Sequence, residues 1–187
     1  MNDLDRLRTI YKLKSVYRTG KVDSRKESSA EHTWSCLILA DYFLGKIRTP
    51  IDRTKVYELL MYHDLVEIES GDVDFLQQNH QKKEIEMKAA HRLKTRIPSE
   101  LSDKFIRLFT EFEDYQTLEA KFAQAIDKLD PFVHLLDYKE EWHRIGLTEN
   151  IVREKKQRYM EPFPEILAFF EELIVYCRKH GYFSSRR

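Results

Sequence analysis

Cysteine is scarce in this chain. Cys36 and Cys177 lie far apart and neither belongs to a CxxC pair. That excludes a disulfide framework and a cysteine-built zinc cluster, and it fits a reducing compartment. Glycine and proline number five each. So few glycines leave no GxxxxGK[ST], GxGxxG or GxSxG segment, and any phosphate has to be held by side chains or by a metal. Net charge is missing too, with 32 Lys and Arg against 32 Asp and Glu. A balanced chain is not built to coat nucleic acid or to lie on an anionic membrane. No apolar run approaches the roughly 20 residues of a membrane span. Met1 to Arg6 carries no signal-peptide pattern. The expectation is a cytoplasmic protein with no nucleic-acid partner and no membrane association.

What remains is helical periodicity. Hydrophobic residues make up 42% of the 187 and charged ones 34%, which places the chain among folded globular proteins. The length suits one core, and residues 1–187 read as a single all-α domain. A first amphipathic helix covers 3–17, with Leu4, Leu7, Ile10, Tyr11 and Lys14 along one side. Arg18 to Glu27 reads as a polar, cation-rich loop. Ser28-Ser29-Ala30-Glu31 resembles a capping box and opens a second helix to about Leu44. A third starts at Asp52 or Thr54 and ends near Val66. Leu76 to Lys83 is polar, and 68–82 joins the first loop as a candidate functional segment. Further helices are predicted over about 83–95, from Pro98-Ser99 to about Phe112, and from Thr117 to about Tyr138. The C-terminal helices, 148–181, are interrupted at Pro162 and Pro164 and stop at His180-Gly181.

Two histidines sit where core residues belong. Val56, Leu59, Leu60 and His63 follow the i, i+3, i+4, i+7 rule of one helix face. Asp64 lies about 100° round from His63, and Glu67 follows one turn later. Gly71 breaks the pattern and Asp72 follows at once. Such a set is costly to bury without a partner. His32 lines up with Cys36, Leu39, Ala40 and Phe43 on the second helix. A lone histidine on such a stripe is ordinarily a satisfied core residue, but His63 repeats the pattern elsewhere. Asp127 stands at the edge of the face made by Phe122, Ile126, Leu129, Val133 and Leu136. It reads either as an acid salt-bridged to Lys121 or Lys128 or as a ligand. Two histidines and two aspartates from three helices could meet as a nitrogen-and-oxygen site for Mn²⁺, Co²⁺, Ni²⁺, Fe²⁺ or Zn²⁺. Trp34, two residues past His32, points off that face and reads as packing. Lys21, Arg25 and Lys26 read as a solvated loop.

His32, His63-Asp64 and Asp127 together resemble the H…HD…D signature of the HD-domain metal-dependent phosphohydrolases. His63-Asp64-x-x-Glu67-x-x-x-Gly71-Asp72 is similar to the extended motif of the branch containing the 5′-deoxynucleotidases. Glu27 to His32, Lys14 to Gly20 and Ala125 to Asp130 resemble further segments of that branch, so the likeness spans about 14–136. The resemblance implies an HD-domain helical bundle. One divalent metal ion (Mn, Co, Zn, Ni, Fe or Mg) would be held by His32, His63, Asp64 and Asp127. Glu67 and Asp72 would be catalytic acids, and Arg18 would bind the substrate phosphate. The implied reaction removes the 5′-phosphate of nucleoside 5′-monophosphates, deoxynucleotides foremost, by attack of water on that metal. The resemblance also implies a homodimer. Thr19 departs from the family, because many bacterial members carry a tryptophan after the arginine. Two other readings are an HD-type phosphodiesterase or alarmone hydrolase, and a non-catalytic helical module with a structural metal. Glu67-Ile68, where alarmone enzymes often carry Glu-Asp, counts against the former. His80 and His91 are candidates for a second metal.

Overall fold

The structure, a computed structural model, describes residues 2–72 and 81–184, with side chains from 84 onward in the second segment. Helices dominate it because caps sit where the apolar periodicity begins. The Asn2 side chain caps α1 (Asp3–Ile10), which tightens into a 3₁₀ turn over Tyr11–Ser15. Ser28 and Glu31 make a reciprocal capping box for α2 (Ser29–Leu44). Asp52 caps α3 (Arg53–Tyr62). That helix passes into a 3₁₀ turn, His63–Val66, and a last turn, Glu67–Ser70. Then follow α4 (Gln81–Lys94), α5 (Ser99–Asp114) and α6 (Leu118–His134), the last capped by Thr117. Short helical turns cover 139–144 and 149–160, the latter with a π segment at Arg153–Gln157. Helix α7 (Pro164–Lys179) starts with proline at its first position, where no hydrogen bond is lost.

Helix α6 is the axis of the bundle and packs against α2, α3 and α5. Phe122, Ala123, Ile126, Leu129 and Phe132 give it a buried face. The helix runs on through Pro131. Behind it, Trp142 is fully buried against Phe132, Tyr182 and Phe183 and donates from Nε1 to the Leu135 carbonyl at 2.9 Å. Cys36 and Cys177 are both free and buried. Among the described residues, no helix is long and apolar enough to cross a membrane.

Three expectations need correction. The polar stretch 18–27 is an antiparallel hairpin, β1 (Tyr17–Val22) with β2 (Arg25–Ser28), turned at Asp23 with φ 54°. Its strands are polar on both sides, so no apolar alternation marked them. The first helical segment therefore ends at Ser15. Of the apolar side assigned to it Ile10 packs against the core, but Leu4, Leu7 and Tyr11 are exposed, and Thr9 and Leu13 are buried instead. Trp34 is 65% exposed, so it points off the ligand face as expected but packs no core. The polar stretch 76–83 and His80 lie outside the residues whose side chains are described.

Candidate active site

The start of α2, the end of α3, the middle of α6 and the hairpin meet on one cavity. His32 stands in the first turn of α2, held there by the capping box. It is fully buried and uses both ring nitrogens. Nδ1 lies 2.8 Å from Asp130 Oδ2, and Nε2 lies 3.1 Å from Asp127 Oδ1. Asp127 and Asp130 are one turn apart on α6 and so share its face. His63 follows the last residue of α3. Its Nδ1 donates to the Leu60 carbonyl at 2.7 Å, satisfying a helix-end acceptor. Its Nε2 is buried and has no hydrogen-bond partner among the described residues. That nitrogen lies 3.2 Å from Asp64 Oδ1 and 3.9 Å from Asp127 Oδ1. Asp64 Oδ2 is 3.9 Å from His32 Nε2.

The pattern of donors decides what this cluster can hold. Each imidazole gives its Nδ1 proton to an oxygen, which leaves each Nε2 lone pair for the cluster. Asp127 Oδ2 accepts from Lys128 Nζ at 2.6 Å, so Oδ1 is the oxygen turned inward. Two nitrogen lone pairs and two carboxylates within these distances fit a divalent cation, and among the described residues nothing else engages the buried His63 Nε2. Cys36 Sγ comes within 3.6 Å of His32 Nε2. Burial pushes its thiol up to about 12, and its sulfur stands with the two imidazoles within reach of one ion. Glu27, His32 and Asp130 also cluster, but Asp130 already takes the His32 Nδ1 that faces them.

Both further acids and the arginine are present. Glu67, one turn after His63, is buried and accepts from Ser29 Oγ at 2.6 Å. Burial, and then the Asp64 charge, hold its carboxyl well above the ordinary range. Gly71, at φ 72°, makes the left-handed turn that returns Asp72 to the site. Arg18 on β1 reaches in from the opposite wall. Its Nη1 lies 3.2 Å from Asp64, 3.5 Å from Asp72 and 4.0 Å from Glu67. Burial works against its charge, but those three carboxylates raise its pKa above the ordinary value. For Asp127, burial works against the charge, but the Lys128 ammonium outweighs it and holds the carboxyl well below the usual range.

All seven residues singled out in the sequence thus stand together. The sequence reading missed Asp130, whose i+3 spacing from Asp127 was the available signal. It also missed Glu27 and His134, which come close across the cavity wall. Lys128, named only as a salt-bridge partner, buttresses Asp127 from inside the site. Thr19 and Gly20 line the same cavity, as do Phe109, Phe112 and Leu147. His91 is exposed and does not line it.

A helical bundle carrying a histidine–aspartate cation cradle beside an arginine defines a class: metal-assisted chemistry on an anionic substrate. Comparison with known proteins gives the family. The HD-domain model matches residues 10–167, and the chain belongs to that family. Its class is that of the HD-domain metal-dependent phosphohydrolases. A human protein named 5′-deoxynucleotidase HDDC2 is 25% identical over 175 residues, covering 89% of this chain and 82% of its own. The Dictyostelium discoideum protein of the same name is 24% identical over 154 residues, covering 77% and 81%. A crystal structure described as a predicted metal-dependent phosphohydrolase from Magnetospirillum magnetotacticum superposes with a TM-score of 0.84. It is 29% identical, with 96% of each chain covered.

Proposed function

We propose that this chain removes the 5′-phosphate of nucleoside monophosphates, 2′-deoxynucleotides foremost, with a divalent metal. One observation carries the reading. Arg18 Nη1, a phosphate-binding fork, sits within 4.0 Å of Asp64, Glu67 and Asp72, beside the orphaned His63 Nε2. The names of the curated relatives support the choice of substrate.

His32, His63, Asp64 and Asp127 would hold the cation. When bound, it lowers the pKa of water and draws charge from the phosphoryl oxygens. Arg18 takes the phosphate oxygens on its planar fork, exchanging its carboxylate partners for them. Glu67, buried one turn after His63, accepts a proton from the attacking water. Ser29 fixes the orientation of that carboxylate. The new phosphorus–oxygen bond forms as the bond to the sugar O5′ breaks, and Asp72 delivers the proton O5′ needs. Asp72 fits that role because Gly71 turns it toward Arg18 and so toward the bound phosphate.

The test is phosphate release from ribo- and deoxynucleoside 5′-monophosphates by protein stripped of metal and reloaded with Mn²⁺, Co²⁺ or Zn²⁺. Release that needs metal and is lost in Asp72→Asn and Glu67→Gln is expected. No release by a folded protein that binds the metal would overturn the proposal in favour of a phosphodiester or alarmone substrate.

A further inference from the structure

Glu27 is a buried carboxylate whose side chain makes no hydrogen bond among the described residues. It is 4% exposed, the last residue but one of β2, and on the wall of the cavity. Its nearest charged partners among the described residues are Arg18 Nε at 3.7 Å and His134 Nδ1 at 3.9 Å. Both lie beyond hydrogen-bond length. Arg18 does not need it for charge balance, since three other carboxylates already lie within 4.0 Å of Nη1. His134 donates from Nε2 to the Lys21 carbonyl at 2.7 Å. In the neutral ring its Nδ1, which faces Glu27, is then an acceptor. Two acceptors side by side on a cavity wall call for a ligand that donates.

The position says which part of the ligand that is. Arg18 turns Nη1 to the metal-site carboxylates and Nε to Glu27. A guanidinium is only a few atoms wide. A sugar joined to a phosphate at Nη1 by one ester oxygen and one methylene therefore comes within reach of Glu27. The room is kept by Gly20, where a Cβ would stand 3.1 Å from Glu27 Oε2 and 3.5 Å from His134 Nε2. A 2′-deoxynucleoside 5′-monophosphate has one sugar hydroxyl, O3′. We infer that Glu27, with His134 beside it, accepts the hydrogen bond of the substrate's 3′-hydroxyl and is the residue that reads the sugar. This rests on the nucleotidase reading above. A site built to accept from a hydroxyl discriminates strongly against the analogue that lacks it.

The experiment compares 2′-deoxyadenosine and 2′,3′-dideoxyadenosine 5′-monophosphates as substrates of the Mn²⁺-loaded protein. Wild type, Glu27→Ala and His134→Ala are measured side by side. In wild type, kcat/KM is expected to fall about 10- to 100-fold for the dideoxy compound, as for the loss of a charge-assisted hydrogen bond. In Glu27→Ala the two substrates should differ by less than about threefold, and His134→Ala should lie between. Equal turnover of both compounds by wild type overturns the inference and leaves the nucleotidase reading standing. Discrimination that survives in Glu27→Ala overturns it as well. No turnover of any nucleotide removes the nucleotidase reading, and this inference with it. If Glu27→Ala does not fold, the wild-type ratio and His134→Ala decide alone.

Discussion

Asp130→Ala is the change that tests the cation cradle most directly, because Asp130 is not itself one of the four candidate ligands. Its carboxylate holds His32 Nδ1 at 2.8 Å in a site closed to solvent. Removing it leaves that N–H with Cys36 Sγ at 3.8 Å, a weak acceptor. The ring then loses both its fixed orientation and the electron push that makes Nε2 a better donor. Loss of such a partner weakens metal binding by about 10- to 100-fold, or about 1.4 to 2.7 kcal/mol. Asp130→Asn keeps an accepting oxygen without the charge. A neutral hydrogen bond is about half as strong as a charge-assisted one, so the expected loss is about 3- to 10-fold. The assay is titration of metal-stripped protein with Mn²⁺, counting free ion, with thermal unfolding as the control for folding. If both folded variants bind Mn²⁺ within twofold of wild type, the role given to Asp130 is wrong. If binding fails in Asp127→Asn but not in Asp130→Ala, the His32 ring is oriented by packing alone.

Further outcomes follow from other parts of the molecule. Metal at about 100 times its Kd should stabilise the fold by about 2.7 kcal/mol, which raises Tm by about 5 to 10 °C in a chain of this size; a melting curve indifferent to metal and chelator would count against the cradle. Gly20→Ala should raise KM for nucleotides more than it lowers kcat, because its Cβ would stand 3.1 Å from Glu27 Oε2; unchanged KM would show that the wall gives way. Trp142→Ala removes a fully buried ring and one of the two hydrogen bonds to the Leu135 carbonyl, which keeps the Tyr138 N–H, and should cost about 3 to 5 kcal/mol by urea unfolding. Glu149 is pushed down to about 2 by Arg178 and Arg153. A depressed carboxylate stabilises the fold above its unfolded value of about 4.3, and that contribution disappears as pH falls through about 2. The urea midpoints of wild type and Glu149→Gln should therefore differ at pH 7 and converge toward pH 2, and a constant gap would refute the assignment.

The sequence made some of this legible and hid the rest for physical reasons. Helix starts at Ser28, Asp52 and Thr117 could be read because capping chemistry is local, a side chain reaching three residues along. His32 and His63 could be read because a ligand that faces inward from a helix must share the periodicity of the core. Asp130 was harder, since an acid on a helix face has many uses and only the tertiary contact with α2 selects this one. The hairpin was hidden because its strands bury little apolar surface, and its order comes from what it touches. The exposure of Leu4, Leu7, Tyr11 and Trp34 was equally hidden. Periodicity tells which residues share a face, but not whether anything covers that face.

The hairpin carries one consequence for how the site lives in time. Two strands alone are marginal in water. This pair is tied down by polar contacts: Asp23 N to Tyr138 Oη at 2.9 Å, His134 to the Lys21 carbonyl at 2.7 Å, Lys21 Nζ to Glu141 at 2.9 Å, and Arg18 Nη1 to Asp64 at 3.2 Å and Asp72 at 3.5 Å. The metal-site candidates, by contrast, stand on helices whose release would open the whole core. The two halves of the site are thus set to open at different free energies. Amide protons of 17–28 should exchange with solvent long before those of α6. If Arg18 holds the product as proposed, that product would have a way out that leaves the candidate metal ligands in place, and the wall that grips it would be the door through which it leaves.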